Sequence, residues 1–253
     1  MNHDVLGVIG GMGPEASAYF YNQIVRHTCA DSDQSHLDMV ILSCASMPDR
    51  TGAILSGDHE QLLATMRSCL KKLEACGATQ IAIPCNTSHY FYNDIQRMSS
   101  IPIIHMPRET IRTACEEHGA QRIGILGTDG TVTSGVYAWE CERFGAECIV
   151  PSPEAQRDVM SLIYDDIKAG REPDRQKFDR AASQLLERGC DTLILACTEL
   201  SILKECIAMP ERTIDALEVL VRASIERCGG TWRAKSRNKI WQLHSRQPLP
   251  RID

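Results

Sequence analysis

The 253-residue sequence has few aromatic side chains, 5% in total, and no long run of apolar residues. A membrane-spanning helix needs about 18–20 consecutive apolar residues, so we expect no transmembrane segment. The first strand pattern begins at Val5 and leaves no room for a signal peptide, which favours a cytoplasmic protein. The positive charge typical of nucleic-acid-binding proteins is also absent, because the formal net charge is −6. We therefore expect neither a membrane nor a nucleic acid as partner.

No two of the twelve cysteines are spaced as Cys-x-x-Cys. The missing spacing argues against a zinc ribbon and against a thioredoxin-type redox motif. Without a secretion signal, a reduced chain is favoured over a disulfide scaffold. Most of the cysteines are expected to be small apolar core residues, above all those within helix patterns, which are Cys29, Cys69, Cys76, Cys115 and Cys141.

Strand and helix patterns alternate along the chain. The strand patterns are apolar on both faces, which is typical of parallel sheets covered by helices on both sides. We predict an α/β fold of two similar domains related by a pseudo-twofold axis, each with a mainly parallel sheet flanked by helices. Residues 1–115 with 214–228 are predicted to form the first domain and residues 116–213 the second. The predicted strands are VLGVIG, DMVILS, QIAIP, residues 101–105, RIGILG, ECIVP and DTLILA.

Residues 229–253 are predicted to form a basic C-terminal tail. This segment holds six Lys or Arg residues against one acidic residue and shows no clear periodicity. Its composition favours a loosely ordered tail, with a contact to a polyanion or a partner as the alternative.

The clearest functional signal is a motif that occurs twice. The strand pattern IAIP ends in Cys85-Asn86-Thr87, and LILA ends in Cys197-Thr198-Glu199, so the two cysteines are 112 residues apart. The Gly-rich segments GVIGGMG and GILGTDG repeat at a similar offset of 117 residues. Ligands of open α/β sheets bind at the carboxyl ends of the strands. Two similar halves would then place two thiols on opposite sides of one small ligand, which suits moving a proton between the two faces of a carbon.

Short polar side chains flank these thiols. Asn86, Thr87 and Thr198 offer hydrogen-bond donors for a carboxylate, and helix capping is the alternative role of such residues. Glu199 would orient a thiol or a substrate ammonium group, or serve as an acid in the first turn of a helix. His89 follows Cys85 by four residues, but two ligands make a weak case for a metal, and we predict none.

The turn Gly11-Met12-Gly13 fits a dinucleotide-binding pattern together with Ala16. The second strand pattern, however, ends without the acidic residue that would hold a ribose, and the lysine of a phosphate-binding loop is missing. A tight turn that lets a small ligand approach is therefore the favoured interpretation.

Two cationic residues, Arg50 and Lys168, are candidates for binding an anionic ligand. Arg50 is expected in a loop after the second strand, at the same edge of the sheet as the thiols. Lys168 is expected near the end of a helix over residues 155–169. From the pattern of residues, a solvated loop charge and a charge at a helix C-terminus remain open as alternatives.

The segments GGMGPEAS, MPDRTGAIL, PCNTSH, IYDDIKAG and ACTEL resemble the motifs of cofactor-independent aspartate racemases in the aspartate/glutamate/hydantoin racemase family. They occur in order between about Val5 and Arg227. The resemblance implies two α/β domains with the active site in the cleft between them, a homodimer, and no cofactor. The tail lies outside the family pattern.

The same resemblance implies roles for individual residues. Cys85 and Cys197 would be the two acid/base thiols, one removing the α-proton while the other donates from the opposite face. The remaining positions would bind the substrate, namely Asn86, Thr87 and Thr198 at the α-carboxylate, Arg50 and Lys168 at the side-chain carboxylate, and Met12 along the ligand.

These observations lead to the hypothesis of a racemase that interconverts L- and D-aspartate, a dicarboxylic amino acid. A related racemase or isomerase for glutamate, a hydantoin or maleate is the first alternative. A non-catalytic amino-acid-binding protein on the same fold is the second, and a thiol-redox or metal protein is the third.

Overall fold

The computed structural model describes residues 4–234. Its first half alternates strands and helices as the sequence pattern predicts, with Pro14 at the first position of a helix, where the missing N–H does no harm. The elements of this half are β1 (Val5–Gly10), α1 (Pro14–His27), β2 (Asp38–Ser43), α2 (Arg50–Ser56), α3 (Glu60–Ala75), β3 (Gln80–Ala82), α4 (Tyr92–Gln96) and α5 (Met106–Arg112).

The second half repeats this alternation. A π-helical turn, Thr113–Glu117, extends α5, and a second one, Leu162–Ile167, extends α8. The elements are β4 (Arg122–Leu126), α6 (Asp129–Thr133), α7 (Val136–Arg143), β5 (Glu147–Ile149), α8 (Pro153–Ser161), α9 (Arg175–Glu187), β6 (Thr192–Leu195), α10 (Thr198–Leu203), β7 (Thr213–Asp215) and α11 (Ala216–Arg227).

Two parallel sheets form the framework. The first has the strand order β2-β1-β3 and the second the order β5-β4-β6-β7. Every strand pair is parallel, and in both sheets the first strand of that half pairs with the next two strands. The predicted α/β fold with two parallel sheets flanked by helices is confirmed. Cys85 follows β3 and Cys197 follows β6, at equivalent places in the two sheets.

The halves share a hydrophobic core. Helix α11, which follows the second sheet, packs against α1 and α5 of the first half. One cluster of buried residues accordingly contains Val8 and Phe20 from the first half, Ile125 from β4 and Leu220 from α11. The domain boundaries drawn from the sequence stay a prediction. No helix within residues 4–234 is long and apolar enough to cross a membrane.

Several predicted elements are wrong in detail. Residues 101–105 form no strand but a single bridge between Ile81 and Ile103, next to Pro102, which cannot donate a ladder hydrogen bond. Arg50 lies not in a loop but at the start of α2, where the Asp49 carboxylate accepts a hydrogen bond from the Gly52 amide at 2.6 Å. Gly135, with a φ of 69°, separates α6 from α7.

The start of the predicted tail is fixed against the first half. The Cys29 amide donates to the Thr231 carbonyl at 2.8 Å, and the Arg233 amide donates to the His27 carbonyl at 2.8 Å. Thr28 and Trp232 form an antiparallel bridge between these bonds. The prediction of a loosely ordered tail is therefore wrong for residues 231–233, whereas residues 235–253 lie outside the described residues.

The turn after β1 packs against the segment after β2. Gly11 has a φ of 89°, and a Cβ built there would lie 2.4 Å from the Cys44 amide nitrogen. Gly11 is thus required both by its backbone conformation and by the close approach of a second backbone segment. The neighbouring Met12 is held in place by this packing.

We expect Gly11→Ala to destabilise the fold far more than Gly77→Ala. Gly77 also has a positive φ, but a Cβ there would meet nothing within 4 Å. The control should lose about 1–2 kcal/mol, the usual penalty for a left-handed residue with a Cβ. Gly11→Ala should lose at least twice as much, measured by denaturant unfolding. Equal losses would contradict the close packing around Gly11.

Candidate active site

A single small pocket lies where the carboxyl ends of the strands of both halves meet. Its cavity volume is only about 20 Å³, room for about one water molecule, so the lining side chains nearly fill it. All nine site residues predicted from the sequence line it, and four further residues join them. The lining residues are Met12, Asp49, Arg50, Thr51, Cys85, Asn86, Thr87, Thr128, Tyr164, Lys168, Cys197, Thr198 and Glu199.

Cys85 is held through its own backbone. The ring of His89, which is fully buried, donates from Nδ1 to the Cys85 carbonyl at 2.9 Å. Its Nε2 accepts from the Met106 amide at 3.1 Å, which assigns the proton to Nδ1. Burial lowers the pKa of His89, so the ring is neutral. Both ring nitrogens are therefore engaged in the fold, and residues 4–234 contain no cluster of three His, Cys, Asp or Glu that would hold a metal.

Cys197 lies beside a carboxylate. Its Sγ donates to Glu199 Oε2 at 2.9 Å, and the Thr198 hydroxyl donates to the same oxygen at 3.3 Å. Burial raises the pKa of Cys197 well above its ordinary value, and the negative charge of Glu199 raises it further. Cys197 is accordingly a neutral thiol.

Lys168 balances the charge of Glu199. Its Nζ lies 3.5 Å from Glu199 Oε1. Burial lowers the pKa of Lys168, but the surrounding acidic groups, Glu199 foremost, together raise it above the ordinary value, so the ammonium stays charged. The same Nζ lies 4.8 Å from the centre of the Tyr164 ring, one helical turn earlier. Of the two cations Arg50 and Lys168 that line the pocket, Lys168 thus already has an ionic partner within the protein.

Arg50 supplies the positive charge on the other side. Its side chain is buried, and one terminal nitrogen donates to the Pro48 carbonyl at 2.9 Å. Its Nε has no hydrogen-bond partner among the described residues. Burial lowers the pKa of Arg50, but Cys85 and Asp49 raise it above the ordinary value. A charged, buried guanidinium therefore lies next to the Cys85 thiol.

Asn86 lines the pocket and has an amide nitrogen without a hydrogen-bond partner among the described residues. The Tyr137 hydroxyl donates to Asn86 Oδ1 at 2.5 Å, and both side chains are buried. With its oxygen fixed in this way, the amide nitrogen Nδ2 is the group left for a ligand, and it has no partner among residues 4–234. The hydrogen-bond network thus assigns the orientation of the Asn86 amide.

Thr87 joins the two halves. Its hydroxyl lies 2.9 Å from that of Thr131 and 3.1 Å from that of Thr128, both from the start of α6. Gly130 of α6 lies so close to Thr51 of α2 that a Cβ built on Gly130 would be 2.7 Å from the Thr51 hydroxyl. None of the side chains of Asn86, Thr87 and Thr198 caps a helix, so the capping alternative is wrong for these residues.

Four lining residues were not predicted from the sequence. Asp49 and Thr51 flank Arg50, and Tyr164 precedes Lys168 by one helical turn. Thr128 lies in GILGTDG, the repeat of GVIGGMG, so the duplication was a signal that this second turn also reaches the pocket. Tyr137 left no such signal, because it lies in a helix 51 residues from its partner Asn86.

The geometry suits acid/base chemistry on a small anionic ligand. Two thiols line one pocket, with a negative charge next to Cys197 and a positive charge next to Cys85. The opposed charges give the two thiols different surroundings, and Cys197 keeps a proton that it can donate.

Comparisons with known proteins identify the family of this chain. Residues 9–224 match the family described as Asp/Glu/Hydantoin racemase. The broad specificity amino-acid racemase RacX of Bacillus subtilis is 28% identical over 229 residues, which cover 87% of this chain and 96% of RacX. The aspartate racemase of Picrophilus torridus superimposes with a TM-score of 0.77 and 26% identity, covering 91% of this chain and 96% of that one.

A more distant structure shares the fold. The glutamate racemase of Francisella tularensis, solved in complex with D-glutamate, has a TM-score of 0.61 at 17% identity and covers 88% of this chain and 79% of its own. The family match spans most of the sequence, and the structural matches span both halves. The protein therefore belongs to the Asp/Glu/hydantoin racemase family.

Proposed function

We propose that this racemase interconverts L- and D-aspartate without a cofactor, by proton transfer between two thiols at the α-carbon. The observation that carries the proposal is that Cys85 and Cys197 line one small pocket together with the cations Arg50 and Lys168. The homodimer implied by the family resemblance and the cytoplasmic location expected from the start of the sequence stay predictions.

The charges around the thiols favour one starting state. In the proposed starting state Cys85 is the thiolate that accepts the α-proton, and Arg50 is the cation beside it. Glu199 keeps the proton on Cys197. Cys85 then takes the α-proton from one face of the substrate, and Cys197 delivers its proton to the other face. Afterwards Cys85 carries the proton and Cys197 is the thiolate, which is the starting state for the opposite enantiomer.

The carbanion needs stabilisation at its carboxylate. When the α-proton leaves, negative charge develops on the oxygens of the α-carboxylate, and donors fixed in advance stabilise that charge most. The unpartnered Nδ2 of Asn86 is such a donor. Because Tyr137 fixes the oxygen of the same amide, the donor needs no reorientation during the reaction.

The side-chain carboxylate of aspartate would be bound by Arg50 and Lys168. The Arg50 Nε is without a partner, whereas the Lys168 ammonium already lies 3.5 Å from Glu199. A planar guanidinium also matches a carboxylate better than a point charge does. Arg50 is therefore the main determinant of the preference for a dicarboxylate.

A racemase of broad specificity is the second candidate. It is supported by the similarity to RacX over almost the whole length of that protein. It also fits the pairing of Lys168 with Glu199, because Arg50 is then the one pocket cation left to bind a side-chain carboxylate of the substrate. Glutamate and the other family substrates remain alternatives within the dicarboxylate proposal.

Replacing either pocket thiol should separate proton exchange from inversion. We expect Cys85→Ser and Cys197→Ser each to slow the interconversion of aspartate by at least about 100-fold, the usual contribution of an acid or base. In D₂O, each variant should still exchange the α-proton of one enantiomer without inverting it, and the two variants should prefer opposite enantiomers. NMR and chiral chromatography measure both processes.

The matched control is Cys190→Ser, which changes a buried thiol outside the pocket. It should racemise aspartate like the unmodified protein. Interconversion at the original rate in either pocket variant would refute the two-thiol mechanism.

Removing the Arg50 charge should weaken the discrimination between aspartate and its neutral isostere asparagine. Because Arg50 also lies beside Cys85, Arg50→Ala should slow α-proton exchange of both amino acids. The ratio of their kcat/KM values should nevertheless fall by about 10- to 100-fold, the equivalent of one hydrogen-bonded charge. Arg97→Ala, at an exposed ion pair with Asp94, is the control. An unchanged ratio would favour the broad-specificity candidate.

Tyr137→Phe should lower kcat/KM without unfolding the protein. Without the hydroxyl, the Asn86 amide is free to turn, so the donor towards the carboxylate is no longer fixed. We expect a loss of about 10- to 100-fold, mainly in kcat if the donor acts on the developing charge. Tyr19→Phe is the matched control, because it removes a hydroxyl bonded to Glu205 at 2.8 Å outside the pocket. Equal kinetic effects of the two variants would contradict the positioning role of Tyr137.

A further inference from the structure

Two cysteines outside the pocket lie unusually close to each other. The Sγ atoms of Cys44 and Cys69 are 3.2 Å apart, although the residues are 25 positions apart in the sequence. Cys44 follows β2 and is partly exposed, whereas Cys69 lies within α3 and is buried. A disulfide has an S–S distance of about 2.0 Å, so the two sulfurs need to approach by only about 1.2 Å.

Cys44 also links two segments that line the active site. Its amide donates to the Gly10 carbonyl at 3.0 Å, at the start of the turn that carries Met12. Its carbonyl accepts from the Met47 amide at 3.0 Å, and the Met47 carbonyl in turn accepts from Arg50 at 3.3 Å. A bond from Cys44 to α3 would therefore tether the segment that positions Arg50.

We propose that Cys44 and Cys69 are a redox modification site, at which a hydroperoxide converts the two thiols into a reversible disulfide. The sulfur of the partly exposed Cys44 attacks the terminal peroxide oxygen and becomes a sulfenic acid, and the other oxygen leaves as an alcohol, or as water in the case of hydrogen peroxide. The Cys69 sulfur then displaces the hydroxyl group as water, and the S–S bond forms. One hydroperoxide is reduced by two electrons, and a dithiol reductant reverses the change.

The surroundings of Cys69 assign it the second step. Burial raises the pKa of Cys69 to about 12, and the hydrogen bond with Cys44 contributes. Cys69 is therefore a thiol at neutral pH and a poor first target for peroxide, because the thiolate is the reactive form. Since its folded pKa is raised, disulfide formation should become faster as the pH rises from 7 to 9.

The test is independent of the racemase reaction when the pocket thiols are absent. In the Cys85→Ser/Cys197→Ser protein, stoichiometric hydrogen peroxide should join the tryptic peptide of residues 68–71 to that of residues 27–50, with the loss of two hydrogens. Fragmentation should place the bond at Cys44 and not at Cys29, and a dithiol should release both peptides. Thermal unfolding should shift upward by several degrees after oxidation, because the bond closes a loop in the unfolded chain.

Adding Cys44→Ser should abolish both the linked peptide and the thermal shift, while Cys76→Ser, an exposed cysteine at the end of α3, should leave both unchanged. The proposal is overturned if Cys44 is oxidised to the sulfinic acid without a bond to Cys69. It is equally overturned if the first disulfide forms elsewhere, for instance between Cys141 and Cys148, another adjacent pair.

Discussion

The contact between Cys197 and Glu199 determines much of the chemistry of this site. A thiol that donates to a buried carboxylate at 2.9 Å keeps its proton, and the Lys168 ammonium lies 3.5 Å from the same carboxylate group. Without Glu199, Cys197 would lose the carboxylate to which it donates, and Lys168 would be the main charge left beside it. In the proposed mechanism, the asymmetry of charge across the pocket, and not the presence of two cysteines as such, gives the two thiols different tasks.

This asymmetry is built on a nearly symmetric framework. The two sheets share the strand order that places β3 and β6 beside the first strand of their half, so Cys85 and Cys197 enter the pocket from equivalent loops. The charged partners break the symmetry, because Arg50 belongs to a helix after β2 and Glu199 to the helix directly after Cys197. The threonine contacts around Thr87 hold the halves together at the pocket. A repeated fold thus supplies the geometry, and local differences supply the chemistry.

The sequence was sufficient to predict the parts that depend on local pattern. The buried strands β1, β4 and β6, the parallel sheets and the pocket positions of both thiols follow from alternation and from the repeated motif, whereas the edge strand β2 is partly exposed. The contact that Tyr137 makes with a pocket residue could not be predicted from the sequence. It depends on a long-range hydrogen bond to Asn86 that no spacing of residues indicates. The strand expected at residues 101–105 was wrong because apolar residues predict burial, whereas pairing also requires amide donors that Pro102 lacks.

The unequal state of the two cations bears on which substrates fit. A cation that already has an ionic partner contributes less binding free energy to a ligand carboxylate than an unpaired cation does, because the ligand must compete with the existing ion pair. Lys168 is paired with Glu199, whereas Arg50 keeps an unpartnered Nε in a buried setting. An unsatisfied buried donor is unfavourable until a ligand binds it, so under the proposed function Arg50 contributes more than Lys168 to binding a second carboxylate. The same residue lies beside Cys85, so in the proposed mechanism one cation contacts both the substrate side chain and the thiol that takes the α-proton.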